Sequence, residues 1–386
     1  MSAAVAIAGI AEPKQGRMPG VTPMQLHAGL ARTALVDAGL RPSDVDAIIT
    51  LSPRSDPYLI HATALAEFLG IAPPVALTVE GGGAAPAVMV DMARMMLQGG
   101  RATTVLVVSA DMPLGVVSRD AYVRTLADAG PVHPDLERPY GPSVPAMFGM
   151  LARAYMHRYG ADERDLAAAS LHDRCNALDH PNAHMRKPLD LDGYLASQMI
   201  ADPLRLLDCT PVSDGGAAVV VTSLERARDL RQPPVKVLGA GFDAACLHLS
   251  AAPSLTAFGA GAALQRALDQ AGLGREAIDL AQIYDCFTIA LLINTEDLGF
   301  APKGQSGAMY REGQFARGAR VAINANGGLL SHGYPGRAAG IGHLIEAVVQ
   351  LRGQAGGRQL EKVDVTLTHG MGGLFATHGV LLLGRP

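Results

Sequence analysis

Four stretches of this 386-residue chain could carry chemistry, three of them rich in glycine. VEGGGAAPAV (Val79–Val88) puts three glycines ahead of a helix-like run. IYDCF (Ile283–Phe287) carries a phenol and a thiol. NANGGLLSHGYPGRAAG (Asn324–Gly340) carries His332 and Tyr334, and LTHGMGG (Leu367–Gly373) carries His369. A glycine loop ahead of a helix can offer N–H groups to an oxyanion, or can simply let a helix and a strand approach closely. No Gly-Lys-Ser/Thr follows Gly83, so the loop is not a P-loop. Cys286 reads either as a thiol activated near a helix N-terminus or as a small buried hydrophobe. Gly327, Gly328, Gly333 and Gly336 permit unusual backbone angles and Pro335 stiffens the segment after Tyr334, so His332 and Tyr334 sit on a rigid, pre-positioned loop. His369 reads as a hydrogen-bonded structural residue or as a base. GAGFDA (Gly239–Ala244) is a partial dinucleotide fingerprint, without the helix and acidic residue that reading needs.

The elements that must position these groups alternate. VAIAGIA, VDAIITL, VALTV and TTVLVVSAD read as strands, with helices at Pro23–Gly39 and Ala84–Leu97. Apolar runs without alternation imply a mostly parallel sheet covered on both faces. ALVDAGLRPSDVD (34–46) recurs as ALDQAGLGREAID (267–279), each a helix end with a glycine cap, a turn and a strand. GGGAAPAVMVDMARMMLQGG pairs more faintly with GRAAGIGHLIEAVVQLRG. Two such pairs in the same order imply a duplicated α/β unit. The halves are expected at 1–230 and 234–386, joined through RQPPVKV. An insertion at about 110–200 carries helices at Ala146–Tyr159 and Ala161–Leu178. Tyr284 is expected to close a strand and Cys286 to open the next helix, at the carboxyl edge where ligands bind in open α/β sheets.

Composition narrows the function class. Hydrophobic residues make up 49% and charged residues 18%, which fits a well-buried globular protein. The net charge of −4 and the lack of a basic run argue against a nucleic-acid partner. Four widely spaced cysteines form no CxxC pair, so neither a cysteine zinc site nor a disulfide framework is expected, and no metal or bound cofactor is called for. The N-terminus reads as a strand, not a signal peptide, and no run of about 18 uninterrupted apolar residues occurs. A cytoplasmic protein off the membrane is expected. Aromatic residues are only 4%, with no Trp, so a tyrosine on a glycine loop stands out.

LASQMIADPLRLLDCTPVSDGGAAVVVTS (Leu195–Ser223), YDCF and NANGGLLSHGYP together resemble the thiolase superfamily, in its sterol-carrier-protein-x or lipid-transfer-protein branch, over nearly the whole chain. The resemblance implies a duplicated five-layer αβαβα fold with an inserted loop domain, a homodimer, and coenzyme A thioesters as substrates. It also locates the departures. The thiolase nucleophilic cysteine falls at Gly83 or a neighbour, and no Cys precedes Cys175. The histidine of the Gly-His-Pro motif falls at Tyr334, the strand-end His or Asn at Tyr284, and the second cysteine around His369–Gly370. Loss of the nucleophile with two phenols gained resembles the thiolase-like acyl-CoA aldolases of steroid side-chain degradation. These cleave β-hydroxyacyl-CoA by retro-aldol reaction, and work with an OB-fold, zinc-ribbon partner subunit in a heterotetramer.

A retro-aldol cleavage needs a base for the β-hydroxyl, donors for the thioester enolate and an acid for its carbon, but no covalent nucleophile. A phenol of pKa ~10 is a weak base unless its surroundings help, and a good neutral donor. Tyr284 and Tyr334 are expected to share these roles, in an order the residues leave open, with Gly82 and Gly83 leaving space where the cysteine stood. Two rivals are a thiolase using Cys286, and a non-catalytic acyl-CoA or lipid binder.

Overall fold

The computed structural model describes residues 4–116, 118, 121–122 and 132–386. Twelve strands form in chain order. β1 is Val5–Ala11, β2 Ala47–Thr50, β3 Val75–Thr78 and β4 Thr104–Asp111. β5 (Met199–Ala201) and β6 (Leu204–Arg205) make a separate ribbon. β7 is Gly215–Ser223, β8 Val235–Ala244, β9 Leu280–Gln282, β10 Ala322–Ile323, β11 Val365–Gly372 and β12 Thr377–Gly384. The ten-stranded sheet runs β10-β9-β11-β12-β8-β1-β7-β4-β2-β3. Outward from the central β8–β1 pair, each half has the same order and the same pairings, two antiparallel and then two parallel. The expected mostly parallel sheet is thus corrected to a mixed one, because β7 and β12 run back antiparallel to both their neighbours.

The main helices are α1 (Pro23–Ala38), α2 (His61–Leu69), α3 (Ala85–Gln98), α4 (Val144–Tyr159), α5 (Glu163–Ala177), α6 (Ala260–Ala271), α7 (Thr288–Asp297) and α8 (Ile341–Leu351). α1 starts at a capping box of Thr22 and Gln25 and ends at Gly39, left-handed at φ 77°. Its counterpart α6 ends at Gly272 with φ 66°. The repeated aspartate does one job twice. Asp46 accepts from the N–H groups of Thr103 and Thr104 at the start of β4, and Asp279 from those of Asp364 and Val365 at the start of β11.

α3 and α8 lie between the two half-sheets and share one core with inward residues of both, such as Val107, Val219, Leu280 and Leu381. α1 and α6 cover the outer faces. The result is the five-layer αβαβα architecture. Gly239 and Gly241 are strand residues packed on α6: a Cβ there would lie 2.3 Å from the Ala267 carbonyl oxygen and 2.0 Å from that of Ala263. GAGFDA therefore serves helix–strand contact, not a dinucleotide. The insertion occupies 112–214 between β4 and β7, whereas β11 and β12 are joined directly. Its portions at 117, 119–120 and 123–131 lie outside the described residues. α5 packs against α7 and against the loop leading to Tyr334. Among the described residues no helix is long and apolar enough to cross a membrane.

A buried histidine ties α1 to the sheet. His27 on α1 donates from Nδ1 to the Pro23 carbonyl (2.8 Å) and accepts the Ala110 N–H at Nε2 (3.1 Å). Burial lowers its pKa from 6.5 to about 4. The unfolded chain takes up this proton near pH 6.5 and the folded one only near 4, so its stabilisation is present above 6.5 and lost as pH falls toward 4. The loss reaches about 3 kcal/mol. Urea unfolding between pH 7 and 4.5 should show a steep decline in stability, and His27→Gln should remove about one proton's worth of that slope. An unchanged slope would contradict a buried neutral His27.

Candidate active site

The strand expected to reach Tyr284 stops at Gln282, and the helix expected to open at Cys286 starts at Thr288. The reason is Asn324, a left-handed residue at φ 48°, whose amide binds the Ile283 N–H (2.7 Å) and carbonyl (3.1 Å) in place of a neighbouring strand. Tyr284 is thereby released from the sheet but not freed. Its carbonyl accepts from Asn294 Nδ2 at 2.9 Å, and its N–H is directed at His369 Nδ1 at 3.4 Å. The phenol ring is buried, lying against Gly83 and Gly340. A Cβ on Gly83 would fall 2.2 Å from Tyr284 Cε2, 2.4 Å from Cζ and 2.4 Å from the Met371 carbonyl oxygen. The space expected to be left open by Gly83 is therefore filled, and Tyr284 occupies it.

His369 is a support rather than a base. The Phe375 carbonyl can only accept, so His378 carries its proton on Nε2 (3.2 Å) and accepts on Nδ1 from His369 Nε2 (3.0 Å). His369 Nδ1 is then free to take the Tyr284 N–H. Burial pushes both imidazoles below their usual range, His378 to about 4, so both stay neutral.

Tyr334 arrives on the loop ahead of α8, the duplicate of the Gly83 loop ahead of α3. A π-helical turn, Gly328–His332, and Gly333 at φ 149° lead into it. Its N–H donates to Ser213 Oγ (3.2 Å), and its carbonyl accepts the Ser213 N–H (3.1 Å). His184 Nδ1 holds that hydroxyl at 2.8 Å. Beyond Tyr334, Gly336 sits against the Tyr122 hydroxyl and Asp111. The buried Asp111 accepts from the N–H groups of Arg54, Ser55 and Arg337, gathering three loops at this edge.

The two phenols lie within electrostatic reach of each other, and their surroundings separate them. Burial first, then Tyr334, pushes Tyr284 well above the ordinary tyrosine value. Burial raises Tyr334 to about 12, with Tyr284 acting in the opposite sense. Tyr334 is thus the more acidic phenol. Tyr284 is almost wholly enclosed, whereas Tyr334 keeps partial exposure.

The remaining candidates separate from this pair. Cys286 is buried beside both phenols, but burial and the charge of Asp285 push its thiol well up, so it is no activated thiolate. His332 faces Glu12 (3.4 Å) and the His180 ring, not the tyrosines. Glu12, His180 and His332 bring one ligand atom each within 4.8 Å of one another. Yet His180 Nδ1 accepts the Asn182 N–H (3.1 Å), which leaves its proton on Nε2, toward Glu346 Oε2 (3.5 Å). Sequence reading missed Asn324, Ser213, Asp111, Tyr122 and the second pressed glycine, Gly340. Of these, only the glycine-flanked NAN carried a local signal.

Residues 241–385 match the thiolase C-terminal domain-like family. The chain is 31% identical over 387 residues to the acetyl-CoA acetyltransferase of Methanothermobacter thermautotrophicus, covering 99% of each. It is 34% identical over 394 residues to the 17-hydroxy-3-oxo-4-pregnene-20-carboxyl-CoA lyase of Mycobacterium tuberculosis, covering 99% of this chain and 100% of that protein. Among solved structures, the Ltp2-ChsH2(DUF35) aldolase matches with a TM-score of 0.87 at 32% identity, over 100% of this chain and 98% of that one.

The ring-on-glycine contact is testable without substrate. Gly83→Ala should cost about 1–3 kcal/mol in urea unfolding. In a double-mutant cycle, Tyr284→Ala should offset part of that loss, because the added methyl then has room. Strictly additive losses would show that the ring does not fill the Gly83 volume.

Proposed function

The chain belongs to the thiolase superfamily, and we propose that within it this protein is a carbon–carbon lyase, cleaving a β-hydroxyacyl-CoA by retro-aldol reaction to a ketone or aldehyde and a shorter acyl-CoA. The observation that carries the proposal is the Tyr284 ring seated on Gly83 with the Tyr334 phenol beside it. A phenol stands where an acyl-enzyme would need a nucleophile. Similarity to a named lyase and to a named aldolase over nearly the whole chain supports the same reading.

Tyr334, the more acidic and more exposed phenol, acts in its minor phenolate form and takes the β-hydroxyl proton. An electron pair on the resulting alkoxide oxygen forms the new carbonyl bond, and the Cα–Cβ pair moves onto the thioester as an enolate. Tyr284 donates to the enolate oxygen. The proton held by Tyr334 returns to Cα, so the reaction is balanced without an external reagent. An acetyltransferase-like reading has the 31% identity in its favour, but burial and the Asp285 charge push the Cys286 thiol well up, against the thiolate such a nucleophile requires.

The assembly is part of the proposal: a homodimer joined by a DUF35-type OB-fold, zinc-ribbon subunit, as a heterotetramer in the cytoplasm. Tyr58, Leu59, Ile60 and Phe68 are exposed apolar residues on and ahead of α2, which supports a covered surface there, and the four free cysteines fit a reducing compartment.

Turnover of a β-hydroxyacyl-CoA, measured as carbonyl product with and without a DUF35 partner, tests the roles. Tyr334→Phe should lower kcat by about 10²–10⁴-fold, as loss of a general base does. Tyr284→Phe should lower it by about 10²–10³-fold, the scale of one oxyanion donor. The wild-type kcat/KM should climb between pH 7 and 9, because the Tyr334 phenolate is the minor form below about 12. Retained rates in both folded variants would refute the assignment.

A further inference from the structure

One residue beyond Tyr284, Asp285 is fully buried. Its Oδ1 accepts the Leu329 N–H (2.8 Å) and its Oδ2 the Leu330 N–H (2.9 Å), the opening of the π-helical turn that delivers Tyr334. A single carboxylate thus joins the backbone segment carrying one phenol to the segment carrying the other. His343 on α8 lies beside the same carboxylate, without hydrogen-bond geometry. Its Nδ1 faces the Gln282 amide (3.2 Å), so Nε2 carries the proton, and that nitrogen lies 3.4 Å from Asp285 Oδ1.

A second carboxyl group enters from the insertion. Asp173 on α5 is also fully buried, and neither of its oxygens meets a hydrogen-bond donor with good geometry. It crowds Gly328 from the same side as Asp285: a Cβ on Gly328 would lie 2.2 Å from Asp285 Oδ2 and 2.6 Å from Asp173 Oδ2. Two buried carboxylates cannot face each other without a proton between them. The geometry says which one holds it. Asp285 already accepts two backbone N–H groups, whereas among the described residues neither oxygen of Asp173 meets a donor with good geometry. Burial, followed by the Asp285 charge, pushes Asp173 well above the carboxylate range, consistent with that choice.

We propose that Asp285 is the positioning residue that sets the Tyr284–Tyr334 pair, and that Asp173 acts as its neutral, proton-donating partner and couples the insertion to the active site. The proposal rests on the lyase reading above for its catalytic consequence, but not for the proton itself. The Asp285 charge also helps to keep Tyr284 protonated, as a donor should be. The roles are asymmetric. An amide at 173 can still donate to Asp285. An amide at 285 must turn an N–H toward a backbone N–H or toward the Asp173 hydroxyl.

The test uses the full chain, with its DUF35 partner if turnover requires one. Infrared difference spectra at pH 7 between wild type and Asp173→Asn should show loss of a protonated-carboxyl stretch. In turnover, Asp173→Asn should stay within about threefold of wild-type kcat. Asp285→Asn should lose about a hundredfold in kcat with KM within about threefold, as a displaced catalytic pair would. An absent carboxyl band, or Asp173→Asn as damaging as Asp285→Asn, would overturn the proposal. If Asp285→Asn fails to fold, the spectrum and the Asp173→Asn rate still decide it. A wild type inert on β-hydroxyacyl-CoA but showing the band would sink the lyase reading and leave the carboxyl pair standing.

Discussion

At the interface of the two halves, the ring of Tyr284 and any side chain at position 83 compete for one volume. The ring lies nearer to where a Cβ at 83 would stand than non-bonded carbons can approach, and the Met371 carbonyl closes the other side. The rest of the site depends on that exclusion. With glycine at 83 there is no nucleophile on the loop ahead of α3. With the phenol pressed into its place, a donor stands there instead.

The duplication explains how such an exchange is tolerated. α3 and α8, with the glycine loops ahead of them, lie in the middle layer, so both loops converge on one edge of the same core. The second half supplies Tyr284 and Tyr334, the first half supplies Gly83, and the insertion supplies Asp173 and Ser213. The tyrosines are held mostly by their backbones: Asn294 and His369 grip Tyr284, and Ser213 grips Tyr334. Their hydroxyls remain free to bind each other and a substrate. Burial does the rest, keeping Tyr284 protonated and the histidines around it uncharged while Tyr334 remains the phenol that loses its proton more readily.

The readable parts of this arrangement were those with local causes. The AGL repeat was legible because a glycine cap does its work within its own turn, even though the aspartate that follows bonds the start of a distant strand. Tyr334 was legible because a phenol between Gly333 and Pro335 is conspicuous in a chain poor in aromatics, and Tyr284 because it faces the matching edge. What escaped was set by distance in sequence. Nothing near Asp285 announces that its partner is Asp173 in the insertion, or that its carboxylate takes the N–H groups of Leu329 and Leu330. Gly83 was read as empty space because the ring that fills it comes from the other half. His332 drew attention through its neighbour Tyr334, yet its side chain turns toward Glu12 and His180.

The central claim is that a carbon–carbon bond is broken by two phenols with no covalent acyl-enzyme. The most direct measurement offers the protein, with its DUF35 partner if one is needed, two substrates in parallel, a β-hydroxyacyl-CoA alone and a β-ketoacyl-CoA with free coenzyme A. Products are followed by chromatography, and the intact chain by mass spectrometry during turnover. The account predicts a carbonyl compound and a shortened acyl-CoA in equal amounts from the first, none from the second, and no added mass on the chain. Thiolysis of the β-ketoacyl-CoA, or an acyl adduct on Cys286, would contradict it.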